Sequence, residues 1–172
     1  VTVADAADLS PGATASARTR LLATSPEPVA TFVRVALALA IFPHGAQHAL
    51  GLFGGYGFSG TLGWMTGTLG FPAPLAALAI VTELVAPFAL LLGAGSRLAA
   101  LGVIGIMLGA IRTHAPNGFF MNWFGALPSG AEGFEYHLLV IVLCVVVVAR
   151  GGGAWSVDGL ARRYFDESST RP

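Results

Sequence analysis

Four long stretches of this chain carry almost no charge: residues 29–52, 72–93, 97–114 and 132–149. Wound as a helix, about 20 apolar residues match the thickness of a bilayer's hydrocarbon core. The first two stretches reach that length outright. The third is shorter, and tilt or local thinning of the bilayer absorbs the difference. The strictly apolar part of the fourth, 138–149, is too short alone. Ser129-Gly130-Ala131-Glu132 ahead of it fits a capping box, which predicts a helix start near Glu132. The expected fold is therefore all-α: a polytopic membrane protein with a four-transmembrane-helix bundle over residues 29–150.

Composition agrees. Apolar residues make up 55% of the 172 positions and charged residues 10%, against about 25% charged in a typical soluble domain. A disordered chain, a coiled coil and an ordinary soluble enzyme are excluded. Nine acidic residues balance nine basic ones, and every basic residue is an arginine. No cluster of them is large enough to hold nucleic acid. Cys144 is the single cysteine, so a disulfide within the chain, a CxxC redox pair and a thiolate metal cage are all excluded.

Residues 1–28 are polar and punctuated by proline, with no apolar run of signal-peptide type. They are expected to form a flexible cytoplasmic tail, and 151–172 a cytoplasmic C-terminal segment. Residues 51–74 and 116–130 are uncharged loops rich in glycine and aromatic residues. The first is expected to carry a short surface helix over 61–69, with Trp64 at headgroup level. Arg18 and Arg20 precede the first span, Arg97 joins the second to the third, and Arg150, Arg162 and Arg163 follow the fourth. Arginines concentrate on the cytoplasmic side. Both termini are thus expected inside, with the two aromatic loops facing out.

An ionisable group inside a bilayer is costly and needs a reason. Glu83 falls near the middle of the second span. Counting from the span ends puts Arg34 and Arg112 within about 7 Å of it in depth. Arg34 is the first expected partner and Arg112 the second. Pro87, four residues after Glu83, removes a helical hydrogen bond to the Glu83 carbonyl. His44 and His48 share a helix face, His114 ends the third span, and His137 begins the fourth beside Glu135. All four histidines map to the outer half. Two readings stand: a polar-ligand site, for a quinone headgroup for example, or charges and imidazoles that only fasten helices. HxxxH spacing alone is too common to specify a metal or a b-type haem, and no metal is expected. An outward-opening cavity with His44 at its mouth and Glu83 at its floor would distinguish the readings. Gly102, Gly105 and Gly109 have the spacing that permits close helix packing.

Several segments together resemble the DoxX family of small four-helix bacterial membrane proteins. They are His44-Gly45, Leu52-Phe53-Gly54-Gly55-Tyr56-Gly57 and Leu69-Gly70-Phe71-Pro72-Ala73-Pro74. Glu83, Leu92-Gly93, Ser96-Arg97-Leu98-Ala99-Ala100, His114 and Gly118-Phe119-Phe120 follow in order, then Glu132-Gly133-Phe134-Glu135-Tyr136. The last is Gly151-Gly152-Gly153-Ala154-Trp155-Ser156-Val157-Asp158. Pro87 with Val85-Ala86 departs from the family's small, Gly-rich stretch. The resemblance implies the bacterial cytoplasmic membrane. It also implies a subunit of, or partner to, a quinone-linked membrane redox complex, with other membrane or peripheral subunits as partners. It brings no agreed catalytic residues. The alternative is a non-catalytic subunit that anchors or packs a larger complex.

Overall fold

The computed structural model describes residues 22–128 and 130–169. From Pro28 on, the described residues form six helices: α1 (Pro28–Leu50), α2 (Gly57–Gly67), α3 (Ala73–Leu92), α4 (Ser96–His114), α5 (Glu135–Arg150) and α6 (Val157–Ser169). Single 3-10 turns sit at Leu52–Gly54 and Ala115–Asn117. No strand occurs among the described residues. Pro28 opens α1, where its missing N–H has no helical partner to lose. Helices α1 and α3 end at Gly51 and Gly93, both left-handed, whose N–H groups return to carbonyls of the last turn.

Helix α2 is the expected short helix of the first loop, but it starts earlier, at Gly57, and ends at Gly67. Helix α5 starts later than expected, at Glu135 rather than near Glu132. The backbone ahead of it pairs elsewhere. Gly133, Phe134 and Glu135 donate to the carbonyls of Phe120, Gly118 and Phe119. The Glu132 carbonyl accepts from His114 and Asn117. Ser129, the expected cap, lies outside the described residues.

Helices α1, α3 and Ser96–Asn117 are long and apolar enough to cross a membrane, which makes this a multi-pass membrane protein. Helix α5 has 16 residues, or about 24 Å, short of the roughly 30 Å core. By length, three helices rather than four therefore qualify. All four nevertheless pack as one bundle: α1 lies on α3 and α5, and α4 lies on the same two. Helix α2 covers α1 and α3. Leu37, Ile41, Leu90, Val103, Cys144 and Val147 fill the interior. Leu39, Leu78, Val85, Leu108, Leu139 and Val142 face outward and exposed. An apolar surface of that extent needs lipid around it.

One end of the bundle is closed by arginines acting on helix ends. Arg34 is 2% exposed. Its Nε donates to the Gly152 carbonyl at 2.7 Å, and its terminal nitrogens to Leu90, Leu91 and Trp155 at 2.6, 2.5 and 3.0 Å. Leu90 and Leu91 lie in the last turn of α3, where carbonyls have lost their i+4 helical donors and a positive charge is favoured. Asp158 does the converse for α4, accepting from the N–H groups of Gly95 and Ser96 at 2.7 and 2.9 Å. Arg97 bonds the Val148 and Ala149 carbonyls near the end of α5. Residues 151–158 thus form a clasp rather than a free segment. Glycine is required in it: a Cβ on Gly152 would collide with Ser96 and Ser156. Thr24 and Ser25 are tied to the same clasp through Gly153 and Arg150. Residues 1–21 of the expected tail lie outside the described residues.

Replacing Arg34 by Leu leaves buried carbonyls without donors. The expected loss is about 3 kcal/mol of unfolding free energy, measured by thermal or denaturant unfolding in detergent. Arg34→Lys should recover only a small part, because one ammonium cannot reproduce the planar fork.

Candidate functional site

The site is built on the crossing of α1 over α3. Gly45 lies directly on the α3 backbone, where a Cβ would collide with the Glu83 carbonyl and the Leu84 Cα. Pro87 has no N–H to offer that carbonyl, so the carbonyl has no helical donor and packs on Gly45. His44 and His48 flank the contact from α1. His48 Nδ1 lies 2.6 Å from Glu83 Oε2. Glu83 is 7% exposed.

This contact corrects the expected pairing of Glu83 with Arg34. Gly45 is level with Glu83, and Arg34 lies eleven residues away along α1, about 16 Å by helix rise. Its guanidinium is fully engaged by carbonyls at the far end. Arg112, the second expected partner, stacks on the Phe71 ring at 5.2 Å from its centroid.

A cavity of about 500 Å³ opens beside the Glu83–His48 pair, within the usual range for small-molecule sites. Helices α2, α3 and α4 line it, together with His44 and His48 of α1 and His114 of α4. Its wall is mostly apolar, with Trp64 and Met65 contributed by α2 and Phe71 by the segment before α3. The second aromatic loop takes no part in the lining. The glycines of α4 explain the space. Gly102 packs closely on Thr82, as expected of small-residue spacing. Gly105 has nothing within 4 Å of where a Cβ would stand, and Gly109 meets only the Phe71 ring. Beyond Gly102 the stripe therefore borders open space, not a tight helix contact.

His114 Nδ1 is 2.8 Å from the Glu132 carbonyl. A carbonyl only accepts, so Nδ1 carries hydrogen and Nε2 of the neutral ring is a free acceptor. His137 stacks on His114, ring centroids 4.9 Å apart, but does not line the cavity. Its Nδ1 is buried without a hydrogen-bond partner. Glu135 accepts from Trp123 Nε1 and Met121 N–H, and so fastens the second aromatic loop. Of the sequence candidates, the cavity brings together Glu83, His44, His48 and His114. Arg34, Arg112, His137 and Glu135 lie outside it. Trp64, Met65, Phe71, Thr82 and Thr113 line it without having been singled out. Among the described residues, no group of three or more His, Cys, Asp or Glu is placed to hold a metal ion.

The pair has a definite chemical capacity. With the carboxylate ionised, Nδ1–H donates to Oε2. With a proton added, the pair is neutral overall, which is the form least penalised in an apolar slab. Glu83 and His48 can therefore take up or release one proton while keeping their mutual contact.

Bundle, lipid-facing surface and the Glu83–His48 pair define a small multi-pass α-helical membrane protein with a cavity between α2, α3 and α4. A family model described as DoxX matches residues 29–123, more than half of the chain, and the protein belongs to the DoxX family. The match spans α1 to α4 and ends before α5 and the 151–158 clasp. No curated protein and no solved structure matches the chain.

A double-mutant cycle on Glu83→Gln and His48→Gln should show a coupling of about 0.5–3 kcal/mol in unfolding experiments. Glu83→Gln combined with Arg34→Leu should be additive within about 0.5 kcal/mol, since the two share no partner.

Proposed function

We propose that this protein is a membrane subunit that holds a quinone headgroup in the α2–α3–α4 cavity, as part of a larger redox assembly. The observation behind the reading is the Glu83–His48 pair at the edge of an open, mainly apolar cavity between α2, α3 and α4. His44 and His114 would bind the headgroup oxygens, and Glu83 Oε2 with His48 Nδ1 would hold the exchangeable proton. A quinone, when bound, supplies a two-electron, two-proton couple. Electrons would come from another membrane or peripheral subunit. A non-catalytic packing subunit is the competing reading. A purely structural ion pair needs no cavity beside it, and the cavity that Glu83 and His48 share with His44 and His114 favours ligand binding.

The same proposal places four spans in the bacterial cytoplasmic membrane. Arg34, Arg97, Arg150 and the 151–158 clasp share one end of the bundle, which supports that end as cytoplasmic. The short α5 would span with local thinning of the bilayer. Cysteines placed at Ser59 and Ser168 test the orientation. Ser59→Cys should react with an impermeant reagent in intact cells, and Ser168→Cys only after permeabilisation. The reverse pattern overturns it.

Protein purified in mild detergent and extracted with solvent should yield bound quinone. Gly105→Leu puts a bulky side chain on the cavity wall and replaces a poor helix former with a good one. It should lose the quinone while its unfolding midpoint stays or rises. Absence of quinone from the unmodified protein in membranes that contain it, or retention in Gly105→Leu, overturns the reading.

A further inference from the structure

Trp155 is 82% exposed and has a left-handed backbone, with φ 51. Outside glycine, asparagine and aspartate that conformation is uncommon, and it persists only where the surroundings impose it. Here the clasp imposes it. Arg34 donates to the Trp155 carbonyl at 3.0 Å, and Thr31 Oγ1 to the Ala154 carbonyl at 2.5 Å. A buried network thus holds a large indole outward. Helix α6 begins two residues later. Val157, Leu160 and Tyr164 recur along it at helical spacing on one side, and all three are exposed.

This apolar face does not stand alone. Trp155, Val157 and Leu160 border a groove of about 720 Å³ together with Leu92, the last residue of α3. Leu91 and Leu92 are exposed, as are Phe88 and Val85 further along α3. The face of α6 is therefore continuous with the lipid-facing surface of a spanning helix. Arg162 and Arg163 line the same groove. Indole and phenol rings are favoured at headgroup level, and arginines beside them meet lipid phosphates. An amphipathic helix with this arrangement lies in the plane of the interface.

We propose that Trp155 and α6 form an interfacial anchor, with Trp155, Leu160 and Tyr164 inserted into the leaflet at the clasp end of the bundle and Arg163 facing anionic phospholipid headgroups. The occupant of the groove is lipid, not a protein partner. The anchor does not depend on the outer cavity or on what binds there.

The test uses the full chain in nanodiscs containing phosphatidylglycerol, with Trp64→Phe and Trp123→Phe so that Trp155 is the only indole. Its fluorescence should be quenched strongly by bromine on the lipid acyl chains and weakly by aqueous iodide. Strong iodide quenching without bromolipid quenching overturns the proposal. So does emission insensitive to both, which would mean cover by protein. Should that double variant fold poorly, a nitroxide on Leu160→Cys in a Cys144→Ala chain gives a second readout. Greater accessibility to oxygen than to a water-soluble nickel complex is expected there, and the opposite order overturns the anchor. Arg163→Gln should weaken binding of phosphatidylglycerol about fivefold relative to phosphatidylcholine. An unchanged preference overturns the anionic headgroup contact.

Discussion

Gly45 has no side chain, and the Glu83 carbonyl occupies the space one would take. Much of the half of the molecule away from the clasp follows from this contact. It fixes the depth at which α1 crosses α3, and hence which α1 residues stand beside Glu83. His44 and His48 are those residues because they lie one before and three after the crossing. Pro87 is the other half of the arrangement. It leaves the Glu83 carbonyl without a helical donor at the point where the neighbouring backbone comes nearest. A close approach of backbone to backbone is a common use of glycine in membrane bundles. Here it also delivers an imidazole to a carboxylate.

The apolar stretches located α1, α3 and α4 within a few residues, because length and hydropathy alone decide where a helix sits in a bilayer. The start of α5 was not legible in the same way. It depends on residues 133–135 pairing with 118–120, which is a tertiary event. The partner of Glu83 was misjudged for a related reason. Depth counted from the ends of each span assumes that neighbouring helices are level. The Gly45 contact offsets them, and Arg34 falls about 16 Å away along its helix. The cavity was readable only in outline. Glycines at helical spacing permit either a tight contact or an opening, and Gly102 and Gly105 do one each. What faces them decides which, and that is absent from a single sequence.

The two ends of the bundle use polar groups differently. At the clasp end, charged side chains satisfy backbone groups that helix geometry leaves over: Arg34 and Arg97 at C-termini, Asp158 at an N-terminus. This allows short connections between helices in a region where water is scarce. The Gly-rich 151–153 run serves the same end by letting the chain pass within contact of Ser96 and Ser156. At the opposite end, histidines, Trp64 and Met65 line a cavity, with Arg112 stacked on Phe71 beside it. Glu83, His44 and His48 there border open volume.

That difference bears on how Glu83 and His48 should be understood. A buried polar group kept for stability is usually saturated with partners, since each unmet bond costs roughly 1–3 kcal/mol. Arg34 meets that description, with its guanidinium spread over four carbonyls. The Glu83–His48 pair does not. One contact joins the two side chains, and both border the cavity, with His114 on the same wall. Gly105 also borders that cavity, at a cost in helix propensity of about 1 kcal/mol relative to alanine. An unfilled space, beside a pair that can change its proton count without breaking its contact, is consistent with a site maintained for a ligand.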